Sequence, residues 1–243
     1  MPVRVEGVLA PPRELGAGVF GVDIRLQSDP GPVLPGQYVL LVHPDGTAIP
    51  FSLASPPREL PQLTLHYRSS AGSEDARRMD EILARPGPCT VELGHGDCGV
   101  CAPLARPLVM IAGGTGIAQA RSIALELAEH AEQDLVLYWG ARAAADLYAR
   151  DEFDALAGRA PHFRWIAAVE DGPAGARLGT VAEVVAQDAA AGRIDLGTVD
   201  VLLCGGPPMV WGTVTALRPH GLTEARTRSD VFDYAPREDL WTD

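Results

Sequence analysis

The run Leu108-Val109-Met110-Ile111-Ala112 is apolar and long enough for only one buried strand. It ends in Gly113-Gly114-Thr115-Gly116, after which Ile117, Ala120, Ala124, Leu127 and Ala128 recur at helical spacing. Strand, glycine turn and helix in that order commit the chain to a βα unit. Such a turn lets backbone N–H groups approach a phosphate, and the helix behind it adds partial positive charge. A nucleotide is therefore the first candidate ligand, and an ordinary tight βα turn the alternative. Read from Gly114 the spacing is G-x-G-x-x-Gln, with Gln119 last, so the full dinucleotide fingerprint is absent. No Lys-Ser/Thr pair follows the glycines, which excludes a P-loop.

From Pro107 onward strands and helices alternate, the pattern of a doubly wound parallel sheet covered on both faces. Strands are predicted at Leu108–Ala112, Leu135–Trp139, Phe163–Val169 and Val199–Cys204. Helices are predicted at Ile117–His130, Asp151–Ala157, Val181–Ala189 and Pro207–Leu217. Before residue 104 the segments are short and β-rich: Val3–Leu9, Val19–Leu26, Tyr38–Val42, Phe51–Ala54, Leu63–Tyr67 and Cys89–Leu93, separated by turns such as Pro35-Gly36 and Asp45-Gly46. That spacing suggests a small antiparallel β-barrel. One helix interrupts it, capped at Ser73 and burying Met79, Ile82 and Leu83. The expected division is a barrel domain over 1–103 and an α/β domain over 104–243.

A formal charge of −12 argues against nucleic acid as a partner, since phosphate backbones need clustered basic residues, but leaves room for small anionic ligands in local pockets. No apolar run reaches the length of a membrane span, and the N-terminal residues lack the pattern of a signal peptide, so a cytoplasmic location is expected. Four cysteines without a dense framework fit a reducing compartment.

Pro35-Gly36-Gln37-Tyr38, Pro50-Phe51-Ser52-Leu53-Ala54-Ser55, Leu63-Thr64-Leu65-His66-Tyr67, Ile111–Gly116 and Leu137-Tyr138-Trp139-Gly140-Ala141-Arg142 follow one another along nearly the whole chain. In this order they resemble the NAD(P)H-flavin reductases of the ferredoxin-NADP reductase superfamily. The resemblance implies that Pro50, Phe51 and Ser52 border the flavin isoalloxazine, with the Ser52 hydroxyl near flavin N5, where it can hydrogen-bond in either redox state. It extends the flavin site to His66, Tyr67 and Arg68. It assigns NADPH or NADH to Gly113, Gly114, Thr115 and Gly116, with Cys204-Gly205-Gly206-Pro207 on the nicotinamide side and Cys204 near the ring. A small buried apolar role is the alternative for Cys204, and a cap on a proline-flanked turn the alternative for Ser52. Phe232 or Tyr234, in the expected final strand Arg226–Tyr234, is a further candidate for the flavin site.

Two departures matter. Relatives carry Arg two residues before the Phe or Tyr of the second motif, where it meets the flavin's polar edge or phosphate. Here the residue is Ile49, which forfeits a charge-assisted contact worth about 1.5–3 kcal/mol. The strand ending Trp139-Gly140-Ala141-Arg142 lacks the acidic residue that would grip a ribose 2′-hydroxyl. NADPH is thus permitted, and Arg142 is either a phosphate ligand or a loop arginine.

Cys89, His95, Cys98 and Cys101 carry donor types suited to zinc, and Cys98 and Cys101 are close enough in sequence for a disulfide. The Gly-His-Gly segment instead matches a metal-free loop of the resembling family, and no metal is assigned. The cysteine spacing of a plant-type iron–sulfur centre is missing.

The resemblance thus implies an NAD(P)H:flavin oxidoreductase that transfers hydride without a general base. Reduced FMN, FAD or riboflavin would then leave for an acceptor such as a flavin-dependent monooxygenase. The alternatives are a reductase that retains its flavin and passes electrons to a protein partner, or a non-catalytic flavin- and nucleotide-binding subunit.

Overall fold

The computed structural model describes residues 2–69, 72–172 and 176–241. The chain builds first an antiparallel sheet from β1 (Val3–Leu9), β2 (Arg13–Gly16), β3 (Val19–Leu26), β4 (Tyr38–Val42), β5 (Ala48–Ser52), β6 (Gln62–Tyr67) and β7 (Gly87–His95), with α1 (Glu74–Leu83) between the last two. Its order is β2-β3-β1-β7-β4-β5, and β6 pairs with β3. Beyond β5, Leu53 bridges Leu65 of β6, and this contact curls the sheet into the expected barrel. Alternate residues of the strands, among them Val22, Ile24, Val39, Leu41 and Val91, fill its interior.

Two details differ from the sequence reading. The strand expected at Phe51–Ala54 lies earlier, at Ala48–Ser52, and contains Pro50. That is tolerable because β5 ends the hydrogen-bonded order, and an edge position does not require the missing N–H. β2 was not anticipated. It is short, polar and paired only with β3, so no buried face marked it.

After a connection over residues 96–107, which contains the expected division at 103, comes a parallel sheet. Its elements are β8 (Leu108–Gly113), α2 (Ile117–Leu127), β9 (Leu135–Ala143), α3 (Arg150–Ala157), β10 (Phe163–Asp171), β11 (Arg177–Leu178), α4 (Val181–Ala190), β12 (Asp200–Cys204), α5 (Pro207–Leu217), β13 (Thr227–Arg228) and α6 (Val231–Tyr234). The order β11-β10-β9-β8-β12-β13 places β8 at the centre, with the chain moving one way through β9 and β10 and the other way to β12. Leu108, Met110 and Ala112 pack under α2 and α3, while Val109 and Ile111 face α4 and α5. Successive residues thus serve opposite cores, which is why the run lacked alternation in sequence. The carboxyl ends of β8 and β12 flank the reversal of strand order, where an open α/β sheet offers its crevice.

The final strand expected over Arg226–Tyr234 is only Thr227–Arg228. The Ser229 hydroxyl accepts the Val231 N–H at 3.3 Å, and the chain turns into α6. Cys89 is half-buried, Cys98 buried and Cys101 exposed; all are free thiols. No group of three or more His, Cys, Asp or Glu gathers in a metal-holding arrangement among the described residues. Among the same residues no helix is long and apolar enough to cross a membrane.

Candidate functional site at the junction of two clefts

Two clefts meet where the barrel faces the carboxyl end of the parallel sheet. The first, about 1020 Å³, runs from Gly113 and Gly114 over Gly140–Arg142 towards Glu170, Thr180 and Glu183. The second, about 690 Å³, lies against β4 and β5 and is lined by Pro50, Phe51, Ser52, His66 and Tyr67 from the barrel, and by Thr115, Gly116, Gly205 and Gly206 from the sheet. Arg68 and Gly113 line both.

The glycines divide by what a side chain there would meet. A Cβ on Gly116 would run into the Cys204 carbonyl and lie 2.8 Å from the Gly205 nitrogen, so this glycine lets the β8 and β12 turns touch. On Gly113 it would lie 2.9 Å from Met209 Cγ, and on Gly205 2.9 Å from Met209 Sδ. These two therefore make room for a side chain of α5. Gly114, with a φ of 54°, opens towards the Arg68 guanidinium, 3.4 Å from where its Cβ would be. Of the glycines lining the first cleft beside β8, Gly114 is the one whose open side faces a cation.

On the barrel side, the Tyr67 hydroxyl reaches the Ala76 carbonyl at 3.0 Å and the Asp80 carboxylate at 2.8 Å, tying α1 to β6. Its ring meets Phe51 edge-on. The His66 side chain is buried, with Nδ1 3.0 Å from the Tyr148 hydroxyl. Burial, with Arg121 and Arg13 nearby, pushes its pKa down to about 3, so the imidazole is neutral. Ile49 is buried beside Pro50 on the wall of the second cleft.

Cys204 and Pro207 line neither cleft. Cys204 is 1% exposed and packs in the core shared by Cys98 and α2, where burial drives its thiol pKa up. Pro207 opens α5, with Gly206 as N-cap. Arg142 is exposed on the first cleft, at some distance along β9 from the glycine turn.

Three residues were missed. Asp230, at the start of α6, lines the second cleft and accepts the Gln119 side-chain N–H at 2.8 Å on Oδ2. Among the described residues its Oδ1 is sealed from solvent, with the Cys98 thiol beside the carboxylate, and burial raises its pKa, with Asp233 and Asp97 adding to the effect. The signal was the Ser229-Asp230 pair just ahead of the C-terminal aromatics Phe232 and Tyr234. Gln119 itself also donates to the Gly36 carbonyl at 2.7 Å, bridging barrel and sheet. Glu170 supplies an acidic group to the first cleft from β10, the neighbour of the strand on which one was sought.

Residues 110–215 match the oxidoreductase NAD-binding domain family. Over 167 residues the chain is 34% identical to the NAD(P)H-flavin reductase of Vibrio harveyi, covering 65% of this chain and 70% of that protein. The chain belongs to the NAD(P)H-flavin reductase family. Membership in this oxidoreductase family, within the ferredoxin-NADP reductase superfamily, accounts for the barrel followed by a nucleotide-binding sheet. The chain is also 34% identical over 211 residues to reductase component 1 of a Comamonas terephthalate 1,2-dioxygenase, which covers 83% of this chain. It spans about 60% of the length of that relative. A crystal structure of an Amycolatopsis cytochrome P450 reductase superposes with a TM-score of 0.81 at 28% identity, covering 94% of this chain and 69% of the other.

Proposed function

We propose that this flavin reductase family member binds NADH in the first cleft and an exchangeable flavin in the second, and releases the reduced flavin to an acceptor such as a monooxygenase. The observation that carries this is the meeting of the clefts: Arg68 and Gly113 belong to both walls, so two ring ligands can come into contact there. Bound together, the nicotinamide and flavin supply the redox chemistry, and the protein contributes proximity and polar contacts.

The second cleft suits a flat ring with a polar edge. Pro50 and Phe51 offer an apolar wall, the Ser52 hydroxyl a donor or acceptor, and Asp230 a carboxylate at the edge of the cleft. In the first cleft the backbone of Gly114 and the Arg68 guanidinium suit a pyrophosphate.

Exchangeability rests on charge. Where relatives carry Arg, Ile49 offers no donor. Asp75, at the start of α1, lines the same cleft. The arginines of α1 are engaged by carboxylates, Arg78 with Asp45 at 3.0 Å and Glu74 at 3.3 Å, and Arg77 with Glu81. Among the residues lining this cleft Arg68 is the remaining arginine, and it is shared with the first cleft, which supports weak binding of FMN or FAD and leaves riboflavin unaffected.

The preference for NADH rests on Glu170. It lies between Val169 and Asp171, which pair with Ala141 and Ala143, and therefore sits beside Arg142 at the strand ends. An exposed carboxylate there would meet a 2′-phosphate unfavourably while accepting a ribose hydroxyl.

The test is NADH oxidation with riboflavin, FMN or FAD added in turn, together with flavin content after gel filtration. Turnover only with added flavin, on protein that elutes colourless, is the expected result. Protein that elutes with one flavin per chain would favour the second reading, electron transfer from a retained flavin to a protein partner. That reading draws support from relatives that are reductase components of oxygenases.

A further inference from the structure

The wall between the two clefts contains one side-chain hydrogen bond that no feature of the sequence pointed to. His66, on β6, lines the second cleft, and Tyr148, in the loop between β9 and α3, lines the first. Their Nδ1 and Oη atoms are 3.0 Å apart, with the rings meeting edge-on at 5.4 Å. Tyr148 is held from the sheet side by Trp139, whose ring it meets edge-on at 5.3 Å. The Trp139 indole N–H in turn donates to the Gly114 carbonyl at 3.2 Å. The glycine turn, the phenol and the imidazole are thus linked in one row across the domain junction.

We propose that Tyr148 is a cross-domain positioning residue whose hydroxyl donates to His66 Nδ1, leaving the imidazole proton on Nε2 as a donor presented to the flavin cleft. The direction follows from donor counting. Tyr148 is part-buried, and among the described residues His66 Nδ1 is the acceptor available to its single O–H. With Nδ1 accepting, a neutral imidazole carries its proton on Nε2. His66 Nε2 has no protein partner among the described hydrogen bonds, yet it is not among the sealed-off polar atoms, as a group facing a cleft should be. Burial keeps the ring neutral, so the arrangement holds throughout the ordinary pH range. A ligand pressing on Tyr148 from the first cleft therefore changes the position of a donor in the second.

The inference rests on the flavin reading above, and the experiment separates the two. Tyr148→Phe keeps the ring that packs on Trp139 and removes only the hydroxyl. ¹⁵N NMR of the ligand-free chain, with His66 assigned among the six histidines by His66→Gln, reads the tautomer directly. The wild type should show the Nε2–H form and Tyr148→Phe a mixture. In stopped-flow mixing of NADH with riboflavin-loaded protein, Tyr148→Phe should lower the hydride-transfer rate constant by about tenfold, the upper end for one neutral hydrogen bond. The nicotinamide–flavin charge-transfer absorbance should fall with it, and NADH affinity should change less than about twofold. In a His66→Gln background, where the imidazole acceptor is gone, adding Tyr148→Phe should cost nothing further. A wild-type Nδ1–H tautomer, or a Tyr148→Phe chain with unchanged tautomer and rate, would overturn the proposal. A wild type that reduces no flavin would overturn the flavin reading instead, while the tautomer would still decide the hydrogen bond.

Discussion

Ser52 and Cys204 look alike in sequence, each a small polar residue beside a turn, but they lie in opposite surroundings. Ser52 lines the second cleft, whereas Cys204 is enclosed in the core and its thiol is kept protonated by burial. Ser52→Ala should therefore lower single-turnover flavin reduction by about 10- to 100-fold while changing NADH affinity little, as expected when a contact with the reacting ring is lost. Cys204→Ala should leave that rate within about threefold and cost about 1–2 kcal/mol of stability for the lost packing. Rapid-mixing kinetics and thermal melts on both variants check the pair, and equal rate losses would contradict the placement of Cys204. Ile49 carries the complementary prediction. Ile49→Arg should tighten FMN binding by about tenfold or more, the value of a charge-assisted contact, and leave riboflavin binding unchanged in fluorescence titrations. Riboflavin serves as the internal control, since a damaged barrel would weaken both flavins.

Between β8 and α2 the glycine turn is read correctly as a motif, yet its glycines have different duties. Gly116 touches the β12 turn, so a methyl group there collides with backbone that cannot move without separating two strands. Gly116→Ala should cost at least about 2 kcal/mol and appear chiefly as lost soluble protein and a lower Tm. Gly114→Ala should fold, at a strain of about 1 kcal/mol for the positive φ, but bind NADH more weakly, because its open side faces the Arg68 guanidinium. Titration calorimetry distinguishes the two. The register of β9 and β10 carries the dinucleotide preference. Glu170→Gln should raise kcat/KM for NADPH relative to NADH by about tenfold, since one charge is removed beside the position of a 2′-phosphate. A ratio that does not move would place the 2′ position elsewhere on the sheet.

The two sheets are joined through α2, which is buried nearly all round because it has the sheet on one side and the barrel on the other. Arg121 grips Glu152 through two contacts of 2.6 Å and donates to the Ala54 carbonyl at 2.6 Å. Ser122 donates to the Ser55 carbonyl at 2.8 Å, and Gln119 spans Gly36 and Asp230. These contacts set the angle between the clefts, and a small rotation there would separate the two ring ligands. Arg121→Ala leaves a carbonyl and a carboxylate without their partner and should cost about 1–3 kcal/mol. In scanning calorimetry the wild type should unfold in one transition and the variant in a broadened or double one, with a slower hydride transfer at temperatures where both are folded. An unchanged single transition would mean that the sheets are coupled mainly by apolar packing.

Much of this architecture was legible from local chemistry alone. Apolar runs bounded by glycine and proline marked nearly every strand, helical spacing marked α1 to α5, and five motifs in order pointed to the family, because each of these signals resides within a dozen residues. β2, the start of β5 and the end of the chain were misread because short edge strands carry no buried face to mark them and the Ser229 hydroxyl turns the chain out of extended geometry. The same holds for the site. Pro50, Phe51, Ser52 and the glycine turn could be named from the chain itself, but which glycine faces a cleft, which cysteine is sealed in the core, and that Asp230, Glu170 and Tyr148 belong to the junction depended on tertiary contacts. Burial, register and the angle between two sheets are properties of what packs against a residue, and the linear sequence holds them only after folding.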